Sequence, residues 1–435
     1  MSLTITDLTV RDIRFPTSRT FEGSAALNPG PDYSAAYVIL HTTGGDGLEG
    51  HGLTFTVGRG NEVCVAAIKA LKPLVVGHEL DAIKADMAGF WRSIAGDSQL
   101  RWLGPEKGAI HLATAAVING HWDLYAKEQH KPLWKLLVDM TPEETVACID
   151  FSHIADALTP DEALEILHAG GRRGREDQLR RTGFPAYTTS VGWLGYDDDK
   201  IRRLCREARD QGWTRFKLKV GENIEEDVRR MALVRGQIGP DCLLMADANQ
   251  IWSIDEAIAA VARLAPYDPW WIEEPTHPDD ILGHARIAEA IHPIRVATGE
   301  HCSNRVMFKQ FLQAGAMDVC QLDVCRLGGI NDALAVLLMA KKFDVPVCPH
   351  GGGVGLCEYI QHLAIFDMIA ISGQTEGRML EYIDHLHEHF RDPVVIENGS
   401  YRLPRRPGAS IEIYPAALDR FAFPEGAAWA EEQNR

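Results

Sequence analysis

Several protein classes are excluded by what the chain lacks. Its nine cysteines are odd in number and scattered, with no Cys-x-x-Cys pair. That points away from a disulfide frame or a thiolate zinc site and towards reduced thiols in a cytoplasm. Cys320 and Cys325 flank a predicted strand and read as small core residues. No apolar run is long enough to span a bilayer, so no membrane partner is expected. The start, Met1-Ser2-Leu3-Thr4-Ile5-Thr6-Asp7, lacks the charged-then-apolar order of a signal peptide. Positive charge is also short. Lys and Arg number 44 against 61 Asp and Glu, a net charge of −17, which argues against a nucleic-acid partner.

What is present is an ordinary globular composition, 46% hydrophobic and 24% charged over 435 residues, enough for two domains. Residues 1–145 read as an α+β domain. Thr4 to Phe15 and Ala35 to Thr42 are predicted strands. Between them, residues 20–34 are rich in glycine and proline, a hairpin connection or a loop long enough to act as a lid. Helices are predicted over 61–76, 80–95 and 106–128. The last carries Ile110, Ala113, Val117, His121 and Leu124 on one stripe, with Asn119-Gly120 weakening it. Residues 146–183 read as a connecting segment, with the charged run Arg172 to Arg181 as its solvated part. A tail over 394–435 carries the hairpin signal Asn398-Gly399 and is expected to pack back on the first domain.

Over 184–393 short β-rich runs alternate with amphipathic helical stretches. Strands are predicted at Ala186–Ser190, Arg215–Lys219, Leu243–Asp247, Trp271–Glu273, Ile294–Thr298, Val319–Leu322, Val345–Cys348 and Met379–Tyr382. About eight βα units in series are the signature of a parallel barrel. A doubly wound sheet competes, but no Gly-x-Gly-x-x-Gly turn opens the series.

In such a barrel, functional groups sit at the C-terminal strand ends. Here those ends carry Lys217-Leu218-Lys219, Asp247-Ala248-Asn249, Glu273-Glu274, Glu300-His301, Asp323, His350-Gly351-Gly352-Gly353 and Glu381. Two lysines at i and i+2 share one face of a strand. On a solvated strand they are harmless. Aimed at one site, each disfavours the other's charge, and Lys219 becomes a base near neutral pH. Any one of Asp247, Glu273 and Glu300 could simply start a solvated loop. All three in successive register repel unless a cation sits among them, and hard oxygen ligands select Mg²⁺ over zinc or copper. Glu274 is expected to face away from Glu273. His350 lies across the ring from Lys219. A lone histidine is more often structural, but Asp323 on the preceding strand end can fix its tautomer. The glycines after it permit close approach of a ligand, or make a tight turn or an anion nest.

A lysine base, a divalent cation and a histidine fit abstraction of a proton α to a carboxylate. Lys217 would depress the Lys219 pKa and help neutralise the substrate carboxylate. His350 would then expel a β-hydroxyl as water, or return a proton to the opposite face as a racemase or epimerase does. A class I aldolase would use its barrel lysine as a Schiff base without a metal. A barrel that only binds has no need to bear clustered carboxylates beside two lysines.

This strand-end pattern, with Lys131-Pro132-Leu133-Trp134-Lys135-Leu136-Leu137, resembles the mandelate racemase subgroup of the enolase superfamily over essentially the whole chain. The resemblance implies an α/β fold, a modified (β/α)₇β TIM barrel, with an N-terminal α+β capping domain whose loop closes the site. The segments Pro31 to Tyr37, Tyr187 to Tyr196, Glu300 to Arg305 and Cys348 to Glu358 are similar to the L-fuconate dehydratases of that subgroup. They imply dehydration of L-fuconate to 2-keto-3-deoxy-L-fuconate with one Mg²⁺ per subunit. Lys219 would take the α-proton and His350 would assist loss of the 3-hydroxyl. Substrate contacts are implied from Gly23, Ser24, Tyr33, Lys217, Asn249, Glu300, His350 and Glu381. Ala25 stands where those dehydratases carry Asp, a departure that bears on the sugar end remote from the chemistry. Two apolar domain faces point to a homo-oligomer.

Overall fold

The computed structural model describes residues 3–43 and 47–430. The first two residues of the start and the last five of the tail therefore lie outside the described residues. Three antiparallel strands open the fold in the order β1 (Ile5–Arg14), β2 (Ser34–Thr42) and β3 (Gly50–Thr56). β3 is an addition to the sequence reading, and its glycines are the reason. The helix Gly108–Glu128 lies so close that a Cβ on Gly52 would sit 1.9 Å from the Ala116 carbonyl oxygen. A residue pattern that discourages a strand prediction is what lets helix and sheet touch. The same helix runs unbroken through Asn119-Gly120.

Two other local expectations change. The predicted helix over 80–95 breaks at Asp86, whose ψ of 67° ends Leu80–Ala85 and whose carboxylate accepts from the Gly89 N–H to start Met87–Ala95. The charged run is not a plain solvated connector. Arg175–Thr182 is helical, Arg172 donates to the Val138 and Met140 carbonyls, and Arg175 donates to that of Ile369.

The barrel strands are β4 (Phe184–Thr188), β5 (Arg215–Lys219), β6 (Leu243–Asp247), β7 (Pro269–Glu273), β8 (Arg295–Thr298) and β9 (Val319–Cys320). They pair in parallel in chain order. The seventh position is a single bridge, Val347 on Cys320, and β10 (Leu380–Tyr382) returns parallel to β4. The Asn398-Gly399 turn joins β11 (Ile396–Glu397) to β12 (Ser400–Tyr401), which adds antiparallel to β4. Beyond it the tail meets the first sheet and its helix. The N–H groups of Ile413, Ala409 and Phe423 donate to Tyr37, Asp123 and Asp12.

Inside the ring, Tyr187, Met245, Trp271, Ala297, Val319, Cys348 and Met379 form an apolar cluster of their own. Side chains alternate along a strand, so the next inward layer towards the C-terminal ends lies two residues on. That layer carries Asp247 after Met245 and Glu273 after Trp271, in register with Lys219.

Candidate active site

The charged layer rests on a dry floor. Lys217 and the carboxylates of Asp247 and Glu273 are essentially inaccessible, and burying such charges is tolerable only when they are paired. They are. Lys217 Nζ lies 2.7 Å from Glu273, 2.8 Å from Glu381 and 3.3 Å from Asp247. Lys219 Nζ lies 2.5 Å from Asp247. Trp271, from the apolar layer below, donates its indole N–H to Glu273.

Opposite stands His350, with Nδ1 3.0 Å from Asp323 and Nε2 3.6 Å from Glu300. Asp323 is itself held by the Cys325 N–H. Burial opposes charge on the imidazole, but Glu300, the Asp323 hydrogen bond and Glu381 outweigh it and lift its pKa to about 10. These acids favour the charged form of His350.

The lysines correct one expectation. Burial opposes the charge of Lys219, as does Lys217, but Asp247 outweighs both and raises its pKa above the ordinary value. Lys217 is raised further: burial again opposes, and Glu273 and Glu381 win. Lys219 is not a depressed-pKa lysine while Asp247 is its direct partner.

Asp247, Glu273 and Glu300 bring one ligand oxygen each within 4.8 Å of one another. Burial and the Asp247 charge hold Glu273 well above the usual carboxylate range, and burial with Glu274 raises Glu300. Five carboxylates (Asp247, Glu273, Glu300, Asp323, Glu381) face three cations (Lys217, Lys219, His350). An all-oxygen donor set with this excess of negative charge fits a hard divalent cation. Glu274 turns aside at φ 43° and pairs with His301 Nδ1 at 2.7 Å, as its position beside Glu273 suggested.

A cavity of about 470 Å³ connects this layer with the first domain. Gly23, Tyr33, Lys219, Asn249, Glu300, Asp323, His350 and Glu381 all line it. Gly23 adopts φ 80°, and a Cβ there would meet the Tyr33 ring at 2.4 Å. Asn249 keeps a buried amide oxygen without a partner. Two expected contacts are elsewhere. Ser24 is turned inward, its hydroxyl donating to the Pro29 carbonyl, so it shapes the loop. Lys217 lies beneath the cavity among the carboxylates. The cavity also gathers residues the sequence reading passed over: Trp193, Arg59 and Arg326. Arg326 follows Asp323 by one turn, so scanning each strand-end loop beyond its first polar residue would have found it.

The family description "Enolase C-terminal domain-like" matches residues 200–417. "Mandelate racemase / muconate lactonizing enzyme, N-terminal domain" matches residues 26–138. The chain belongs to the enolase superfamily. Among solved structures, human mitochondrial enolase superfamily member 1 superposes with a TM-score of 0.99 at 53% identity, covering 100% of both chains. The L-galactonate dehydratase of Hypocrea jecorina is 52% identical over 436 residues, 98% of this chain and 96% of its own. L-talarate/galactarate dehydratase from Salmonella typhimurium LT2, solved with Mg and L-lyxarohydroxamate, shares the fold at a TM-score of 0.75 and 24% identity, covering 97% and 93%. The capping domain and modified barrel expected from the sequence agree with these matches. So does the enzyme class, a lyase of the acid-sugar dehydratase kind. No helix among the described residues is long and apolar enough to cross a membrane.

Proposed function

We propose that this enzyme removes water from a six-carbon acid sugar, with Lys219 as base and His350 as acid. The reading is carried by one observation: a lysine and a histidine, each held by its own aspartate, face one cavity from opposite sides of the carboxylate cluster. Asp247, Glu273 and Glu300 would hold Mg²⁺, which when bound supplies positive charge beside the substrate carboxylate.

The chain's own residues do the rest. Burial and Lys217 oppose the charge on Lys219, against Asp247, Glu300 and Glu273, the residues that would hold the cation, of which Asp247 raises its pKa most. Neutral Lys219 takes the C-2 proton. The electron pair left at C-2 forms the C-2=C-3 bond as the 3-hydroxyl departs. His350 donates its proton to that hydroxyl, and water leaves. The enol product becomes the 2-keto-3-deoxy acid by proton transfer from C-2 hydroxyl to C-3. Asn249 and Tyr33 line the cavity where sugar hydroxyls would lie. His350, oriented through Nδ1 by Asp323, presents Nε2 to the cavity, which suits delivery of a proton to a departing hydroxyl.

L-Fuconate is the substrate that the resemblance of Pro31 to Tyr37 and of the strand-end segments implies, with Ala25 departing from it in the lid. L-Galactonate, the substrate in the name of the Hypocrea jecorina relative, has the same configuration and differs only in bearing a hydroxyl at C-6. Supplying both with Mg²⁺ and assaying the 2-keto acid tests the reading. Turnover of neither, nor of any other acid sugar in a panel, by metal-loaded enzyme overturns it.

A further inference from the structure

Gln321 stands inside the barrel, outside the cavity wall, with no part in the proton transfers. It is fully buried, and neither its amide oxygen nor its amide nitrogen has a hydrogen-bond partner among the described residues. A polar group shut away from bulk water in this way needs a partner from elsewhere.

The strand ladder fixes where the amide lies. The Gln321 N–H donates to the Thr298 carbonyl, and the Cys348 and His350 N–H groups donate to the carbonyls of Cys320 and Leu322. The ladder therefore runs on past the end of β9. Val319 faces the inside of the ring and Asp323 lines the cavity, so alternation turns Gln321 inward between them. Inward residues of such a barrel stack in layers drawn from alternate strands, and a layer advances by about one residue from each strand to the next. Glu273 pairs with Ala297 and Ala297 with Val319, so the layer of Glu273 reaches Gln321, two residues above Val319. Glu381 pairs with Tyr187, and Thr188 with Phe216, so the layer of Glu381 reaches Lys217 in the same way. Lys217 joins the two carboxylates at 2.7 and 2.8 Å. One layer thus holds Lys217, Glu273, Gln321 and Glu381, with the amide across the ring from the ammonium and a carboxylate on either side.

We propose that Gln321 is a positioning residue of the cation site: through a buried water its amide holds Glu273 and Glu381 from the side opposite Lys217. The amide and two carboxylates supply the polar partners that a buried water needs. An amide does this without adding charge, whereas a third carboxylate would repel the other two and an aliphatic side chain would give the water nothing to bond. Held from both sides, Glu273 keeps the orientation in which it meets the cation. The proposal rests on the assignment of Mg²⁺ to Asp247, Glu273 and Glu300 and adds what holds the second of them.

Calorimetric titration of Mg²⁺ into the metal-free protein, without substrate, tests it. Gln321→Met, similar in length but without the amide, should weaken Mg²⁺ binding by about 10-fold. Its metal-free Tm should stay within about 2 °C of wild type, because Lys217 still pairs both carboxylates. A packing role predicts the reverse, and a lowered metal-free Tm with wild-type Mg²⁺ affinity overturns the proposal. Gln321→Asn keeps the amide on a shorter stem and should bind Mg²⁺ more tightly than Gln321→Met; the opposite order overturns it. A crystal structure of Mg²⁺-loaded wild type should show one water within about 3.2 Å of the amide and of both carboxylates. An amide with neither water nor carboxylate oxygen in reach overturns the proposal whether or not the variants fold. Wild type that binds no Mg²⁺ overturns the cation assignment itself. Affinity that falls with Asp247→Asn but not with Gln321→Met overturns only the role of Gln321.

Discussion

At and beneath the barrel end of the cavity Lys217, Lys219 and His350 each have a carboxylate within hydrogen-bond distance; at the cap end the half-buried Arg326 has none among the described residues. Both ends are built from ordered backbone, so the contrast is one of chemistry. Reacting groups must be protected from water and held to a fraction of an ångström, and neighbouring side chains do this by pairing with them. A recognition group must keep its valence open for the ligand. Removing a group from the barrel end should therefore stop chemistry, whereas changes at the cap end should alter which molecule is accepted.

The largest expected effect is at Lys219. Lys219→Met should lower dehydration by at least about 10³-fold and abolish exchange of the C-2 hydrogen with solvent, read by NMR in D₂O. His350→Asn should also lose dehydration yet keep that exchange, because proton abstraction needs only the opposite face. Normal exchange in both variants would mean that the base lies elsewhere and that the paired end is only scaffold. Next comes Asp247→Asn. Replacing one of the three buried carboxylates proposed to hold the cation should weaken Mg²⁺ binding by about 10-fold or more in calorimetric titration. Unchanged Mg²⁺ affinity would move the cation to another group, of which Glu274, Glu300 and His301 are the candidate.

The barrel end was legible in the sequence because its strands are short buried runs, each closed by a chemically distinct residue. Lys219, Asp247 and Glu273 end their strands in register with one another. The cap end was harder to read. Arg326 lies past the strand end, on a loop held both by Asp323 and by the first domain. Ser24 follows a glycine in the lid and looked like a ligand contact; its hydroxyl is spent on Pro29. β3 was hidden by Gly50 and Gly52, whose missing side chains only a packed helix explains. The electrostatic sign at Lys219 was also beyond reach. Spacing showed two lysines together but not that Asp247 stands 2.5 Å from one of them.

A pair outside the cavity gives the smallest effect and a control on the contrast. His387 Nδ1 sits 2.6 Å from the inaccessible Glu358 carboxylate, and its Nε2 meets the Ile383 carbonyl. Burial opposes its charge, but Glu358 and these hydrogen bonds raise its pKa to about 9. A raised histidine pKa means that the folded state holds a proton the unfolded state releases above about pH 6.5. The pair's contribution is thus complete below about pH 6.5, declines above it and is lost as pH rises through about 9. Its size is on the order of 1–3 kcal/mol. The Tm difference between wild type and His387→Asn should be widest near pH 6 and narrow towards pH 10. The choice among acid sugars, measured at one pH in both proteins, should not move. A constant Tm difference would remove the charge from this pair. A shift in substrate choice would show that pairing alone does not separate scaffold from recognition, since this residue lies outside the cavity wall.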